Sequence, residues 1–254
     1  MKPIAKYNGR YNKQLLSKID RALEEITTEI DIAIATNEIY QTCAYDKGLT
    51  RRLNNTLEAN AYNVVVSQLQ YALLLTLFRI WDNHPQSSVS LPRTIEMLTR
   101  GDVQSAVINR QYHWASDPKH RKIHTFDNED PEKRKLIEGM WLASLPERGA
   151  NAAKDTQARV NRCLRMANHK SLDRLRESLK RFRNKAIAHM PDRRAPIWQP
   201  SKVVPLKNGD EKIILERTLR IVTELNLSVR GTGFDFADTR KIWRSYSRAF
   251  WKRM

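Results

Sequence analysis

The sequence predicts an all-α protein, and three observations carry the prediction. Leu, Ile, Ala, Arg, Lys and Glu dominate, while the 254 residues hold only 8 glycines and 10 prolines, few turn formers for the length. Apolar residues recur every three or four positions over long stretches, the period of a helix with one buried stripe. Turn signals are widely spaced, and four prolines crowd between Pro191 and Pro205. With 41% hydrophobic residues the chain can bury a real core, and its length fits one helical domain carrying insertions.

The elements follow in order. Residues 1–10 read as an N-terminal tail and 11–230 as the domain. A helix is predicted from about Tyr11 to Tyr40, where Leu16, Ile19, Leu23, Ile26 and Ile30 share a face. A second runs from near Thr50 to Asp82. From Val64 it is apolar nearly all round, which predicts the centre of a bundle. Asp82-Asn83-His84-Pro85 ends it. Ser90-Leu91-Pro92 is a capped start for a short helix through Leu98, and after the break at Gly101-Asp102 another helix covers Val103 to Trp114. Residues 117–150 read as an insertion: a charged loop over 117–135, then a helix from Pro131 to Ser144. A separate helix is predicted from Ala150 to Ala167. Ser171 reads as the N-cap of a helix with Leu172, Leu175, Leu179, Phe182 and Ala186 on one stripe. Pro191 cannot continue it and biases Met190 toward extended geometry, so it ends near His189. Residues 191–210 form a basic, proline-containing loop, and a further helix spans Glu211 to Leu227. After Gly231-Thr232-Gly233, residues 231–254 form a basic aromatic segment with a short helix.

The net charge is +17, from 45 basic and 28 acidic residues. Such a surface attracts polyanions, nucleic acid above all, with strong salt dependence. Membrane surfaces and acidic proteins also fit the charge. Cys43 and Cys163 are the only cysteines, which gives no disulfide framework. Met1-Lys2-Pro3-Ile4-Ala5-Lys6 has no apolar run of a signal peptide. The stretch from Val64 to Trp81 contains Ser67, Gln68, Gln70, Thr76 and Arg79 and reads as a core helix, with no membrane partner expected. The expected compartment is the cytoplasm.

One segment carries chemistry: Arg181-Phe182-Arg183-Asn184-Lys185-Ala186-Ile187-Ala188-His189. It resembles the signature of the HEPN superfamily, an Arg followed by a polar residue, often Asn, and then a His near the end of a core helix. Five residues separate Arg183 from His189 here. The wording Arg183-Asn184-Lys185 with Ala188-His189 is similar to the branch associated with abortive-infection systems. So is Leu75-Thr76-Leu77-Phe78-Arg79-Ile80-Trp81-Asp82 followed by Ser90-Leu91-Pro92. The resemblance covers roughly residues 15–225. Bare spacing is weak, since Arg79 with His84 and Arg162 with His169 also match it. Those arginines precede Ile80 and Cys163, whereas Arg183 precedes a polar residue on an amphipathic helix ending at its His.

At about 100° per residue, Arg183 and His189 fall about 60° to either side of the apolar stripe, flanking the seam with a neighbouring helix. Asn184 falls almost opposite. RNA carries its own nucleophile, the 2′-hydroxyl. Cleavage therefore needs a proton carrier titrating near neutrality, which favours His, and a fixed cation for charge developing on phosphoryl oxygens, which favours Arg. An axial separation of about 9 Å makes one copy of the motif a poor clamp on a single phosphate. The resemblance implies a HEPN-like bundle, and a homodimer that brings two motifs together, with Asn184 at the interface. It further implies a metal-independent endoribonuclease in phage defence or as a toxin, with an antitoxin or inhibitor protein as partner. The alternative is a non-catalytic RNA- or protein-binding module of the same fold. The Tyr that follows the His in some HEPN toxins is replaced here by Met190-Pro191-Asp192.

Arg181, Lys185, Arg193, Arg194, Arg244 and Arg248 are the expected nucleic-acid contacts. In the C-terminal segment Trp243, Tyr246 and Phe250 share one helical face. Docking of that stripe on the bundle is the main expectation, leaving the basic side for RNA. No cofactor and no metal are expected: His120 and His124 have a ligand spacing but sit among Lys119, Arg121 and Lys122.

Overall fold

The computed structural model describes residues 9–84, 89–120, 130–188, 207 and 209–252; for 9–12 and 184–188 it describes the backbone alone. The described residues are almost entirely helical and contain no strand. The helices are α1 (Gly9–Tyr45), α2 (Lys47–Leu53), α3 (Glu58–Trp81), α4 (Leu91–Thr99), α5 (Gly101–Ser116), α6 (Pro131–Ala167), α7 (Lys170–Ala188), α8 (Asp210–Arg230) and α9 (Phe236–Trp251), with a 3-10 turn at Pro118–His120. The all-α bundle is therefore as the composition predicts.

The 37-residue α1 is the spine, packing against α3, α5, α8 and α9. Its stripe of Leu16, Ile19, Leu23, Ile26, Ile30, Ala33 and Ile34 is buried and joins one core cluster with Leu73, Leu77 and Ile80 of α3 and Ile214, Ile221, Val222 and Leu225 of α8. Three polar contacts, one buried and two at the margin of the core, tie helices together. Trp81 Nε1 donates to Thr218 Oγ1 at 2.8 Å, tying α3 to α8. Arg110 donates to Asp20 at 2.8 Å, and Arg230 donates to the Asp20 carbonyl at 2.6 Å.

Several boundaries differ from the sequence reading, each for a local reason. The helix expected from Thr50 to Asp82 is two helices. Asn55 adopts φ 65°, a left-handed conformation that Asn tolerates, and breaks the run between α2 and α3. The bundle centre begins at Leu73, not Val64: Val64 and Val65 are exposed while Leu73, Leu74, Leu77, Phe78, Ile80 and Trp81 are buried. Among the described residues α3 is one helix long and apolar enough to cross a bilayer by length and composition, and its second half is enclosed by the bundle.

The helices expected at Pro131–Ser144 and Ala150–Ala167 are one, α6, running straight through Pro146. Pro146 is exposed, so the carbonyl that loses its helical donor faces water. Position 150 therefore falls inside a continuous helix. Residues 131–140 are exposed, whereas Leu145 and Gly149 are buried. Gly149 is a close-approach site: a β-carbon there would lie 2.8 Å from the Tyr112 ring and 3.1 Å from Ser116 Cβ on α5.

The expected N-cap at Ser171 lies one residue inside α7. The His169 ring accepts the Ser171 N–H at 3.3 Å, and the Ser171 hydroxyl instead receives Arg217 of α8. Elsewhere local signals read through. Ser90 caps α4, its Oγ accepting Arg93 N–H at 3.3 Å, and Gly231 at φ 71° closes α8. The 117–135 loop is seen as the Pro118–His120 turn and the Asp130 cap of α6; residues 121–129, and nearly all of the 191–210 loop, lie outside the described residues.

Candidate functional site

α7 packs on α3 and buries Leu172, Leu175 and Leu179 in the core, while the ring of Phe182 meets Tyr71 of α3 edge-on at 5.1 Å. That packing turns the flank of α7 toward the end of α3. A cleft of about 580 Å³ opens between them. Arg176, Lys180 and Arg183 line it from α7, spaced at four and three residues and so stacked on one face. From α3 and the residues after it come Phe78, Trp81, Asp82, Asn83 and His84.

The two arginines are seated on aromatic rings. The guanidinium carbon of Arg183 lies 5.1 Å from the Phe78 ring centroid, and that of Arg176 lies 5.3 Å from Trp81. Both distances are within cation–π range. Asp173 stands 3.7 Å from Arg176, and Glu177 accepts from Arg181 at 3.2 Å. The two other spacing matches are placed differently. Arg79 binds Glu29 of α1 at 2.7 Å, and Arg162 binds Glu224 of α8 at 2.9 Å, so both knit helices together.

Of the predicted site residues, the structure places Arg183 in the cleft. Arg181 is exposed at its edge, held by Glu177, and does not line it. The backbones of Asn184 and Lys185 continue α7, and their side chains lie outside the description. His189, Arg193 and Arg194 also lie outside the described residues. Sequence reading missed Arg176, Lys180 and His84 as neighbours of Arg183. The first two are marked in the sequence by their helical spacing from Arg183. His84 is marked only by its spacing from Arg79. Its backbone N–H donates to Asp82 Oδ1 at 3.2 Å in a turn that follows α3 and puts it on the cleft wall.

Arg244 and Arg248 are elsewhere. They line a polar pocket of about 270 Å³ between α1, α8 and α9, which shares no residue with the Arg183 cleft. The docking stripe of α9 also needs correction. Phe236, Ser247 and Trp251 are buried and Trp243 half-buried, whereas Tyr246 and Phe250 are about 60% exposed. At 100° per residue the buried line runs through 236, 240, 243, 247 and 251. Tyr246 and Phe250 fall on one flank, against an apolar groove with Tyr62 and Val65 of α3, and Arg244 and Arg248 fall on the other. His120, of the candidate ligand pair, stacks on Trp114 at 5.9 Å, and His124 lies outside the described residues.

The HEPN_AbiU2 family model, described as AbiU2, matches residues 16–250, further toward the C-terminus than the 15–225 resemblance. No curated protein matches the chain, and no solved structure matches it. The match takes in nearly every described helix, the Arg183 cleft and the pocket under α9, and on it the chain belongs to the HEPN_AbiU2 family, an abortive-infection branch of the HEPN superfamily.

Proposed function

We propose that the protein is a metal-independent endoribonuclease acting in phage defence or as a toxin in the cytoplasm, with RNA as substrate. The observation that supports this most is the seating of Arg183 in a cleft with Arg176, Lys180 and His84, in a member of an abortive-infection family. The 2′-oxygen attacks the adjacent phosphorus as His189 removes its proton. The P–O5′ bond breaks and the 5′-oxygen leaves with a proton. The products are a 2′,3′-cyclic phosphate and a 5′-hydroxyl. Arg183 holds the charge that gathers on the non-bridging oxygens, and Asn184 orients the motif or its mate. The nucleophile belongs to the substrate, so this route needs no metal-bound water. A homodimer supplies the second motif, and an antitoxin or inhibitor protein restrains the activity.

The test is incubation of purified protein with total RNA in EDTA, beside Arg183→Ala and His189→Ala. Cyclic-phosphate ends from the parent, with a rate at least about 100-fold lower in each variant, are expected. Equal cutting by His189→Ala removes the assignment. RNA that is shifted on a gel but never cut replaces the enzyme with the binding module of the same fold.

A further inference from the structure

The α9 flank that carries the arginines is built around one buried carboxylate. Glu38 of α1 is 2% exposed. Its Oε1 accepts from Arg240 Nε at 3.0 Å and its Oε2 from Arg244 Nε at 2.9 Å. Arg240 is further committed to Glu216 at 2.6 Å. Arg244 is not: its bond to Glu38 occupies Nε and leaves the two terminal nitrogens to the pocket side chains or to a ligand. One turn later on α9, Arg248 lines the same pocket, and Lys212 lines it from α8. The second carboxylate there, Asp46, caps α2 through one oxygen and keeps a charge that acts on Arg248. Its Oδ1 accepts the N–H groups of Gly48 and Leu49 at 2.8 and 3.0 Å as the cap of α2. Four cations, Arg240, Arg244, Arg248 and Lys212, thus outnumber the two acids in the lining, and Arg244, Arg248 and Lys212 bring donors to it beside the polar side chains of Gln41 and Tyr45.

We infer that this pocket binds a terminal phosphate, the phosphomonoester at the end of an RNA chain or on a mononucleotide. Charge decides between a chain end and a chain interior. A monoester brings about −1.5 to −2 and three free oxygens to a lining whose four cations and two carboxylates leave a net charge of +2, where an internal diester brings a single charge. Size agrees. About 270 Å³ is below the roughly 300–1,000 Å³ of sites that enclose a whole drug-sized ligand, so it admits a phosphoryl group and its sugar end-on. Tyr45, 55% exposed on the rim, offers a ring face to the first base. Glu38 acts as a positioning residue, since it fixes two arginines and touches no ligand.

The RNA arms of the test rest on the RNA reading above, and a mononucleotide arm does not. Full-length protein is titrated with a labelled single-stranded 2′-O-methyl RNA octamer, which has no 2′-hydroxyl to attack, bearing a 5′-phosphate, a 3′-phosphate or hydroxyls at both ends, and separately with AMP and inorganic phosphate. Parent, Lys212→Gln/Arg248→Gln and Lys241→Gln are compared. Lys241 is exposed on α9 outside the pocket and controls for lost charge. The phosphorylated octamer should bind at least about tenfold tighter than the hydroxyl form, an advantage lost in the double variant and kept in Lys241→Gln. Which end binds identifies the source, and AMP binding that is lost only in the double variant also supports the pocket. Equal binding of all octamers, or an advantage that survives the double variant, overturns the inference while leaving RNA binding intact. AMP bound through Lys212 and Arg248 with no octamer bound keeps the pocket and removes RNA as the substrate. Absence of binding in every arm removes both.

Discussion

The guanidinium carbon of Arg183 stands 5.1 Å from the ring centroid of Phe78, so α3 provides the seat for the cation that α7 presents. Arg183 itself is exposed, and the ring restricts where its charge can go. Phe78→Leu keeps an apolar side chain and removes that seat. RNA cleavage should fall about two- to fivefold, the rate equivalent of about 0.5–1 kcal/mol, against about 100- to 1,000-fold for Arg183→Ala. Equal losses in the two variants would mean that the leucine disturbs the fold, which a melting curve would register.

His84 lies on the same cleft wall, at the surface. His84→Ala should leave the melting temperature within about a degree and slow RNA cleavage about tenfold or more, whether the imidazole moves a proton or contacts a phosphate. The pH–rate profile separates the two, because loss of a proton carrier removes one limb. An unchanged rate places His84 outside the reaction.

Gly149 tests the α5–α6 contact. In an open helix Gly→Ala stabilises by up to about 1 kcal/mol. Here the new methyl would meet the Tyr112 ring at 2.8 Å, and Ser116 Cβ at 3.1 Å cannot rotate away. Gly149→Ala should therefore destabilise by about 1–3 kcal/mol in chemical denaturation. A rise in stability would show that α5 and α6 are further apart.

Burial pushes the Cys43 thiol up to about 11, and burial together with the Glu224 charge pushes Cys163 up to about 12, from an ordinary value near 9. The folded state holds these protons more tightly than the unfolded chain does. The stability they contribute is complete below about pH 9 and is lost as pH rises through 11 to 12. Native protein at pH 8 should react with a thiol reagent far more slowly than unfolded protein, and the denaturation midpoint should drop between pH 8 and 10.5, less so in Cys163→Ala. Fast labelling of both thiols at pH 8 would contradict their burial.

The readable parts of the fold are those written in neighbouring residues. The α1 stripe, the Ser90 cap with Pro92 behind it and the glycine that closes α8 are local signals. The misread parts turned on context. Asn55 breaks a run that composition favours, and Pro146 fails to break one because its lost hydrogen bond faces solvent. The site divides in the same way. Arg183 is legible because its motif lies on one helix. His84 is not, because α3 and α7 meet only through packing between residues some hundred positions apart. The exposure of Tyr246 and Phe250 was hidden for a related reason: three aromatic residues on one face do not say which edge of that face meets α1.

α7 packs chiefly on α3 and more sparsely on α8, where Arg217 meets Ser171. By contrast α8 buries eleven residues and touches six helices, α9 among them through Arg240 and Glu216. Local opening free energies follow such differences in support, so the amides of α7 should exchange with deuterium well ahead of those of α8. Function and fold then have separate thresholds. A modest dose of denaturant can dismantle the Arg183 cleft while the rest of the bundle stands, and inactivation that precedes the main transition would be the signature of one peeled helix, not of an unfolded chain.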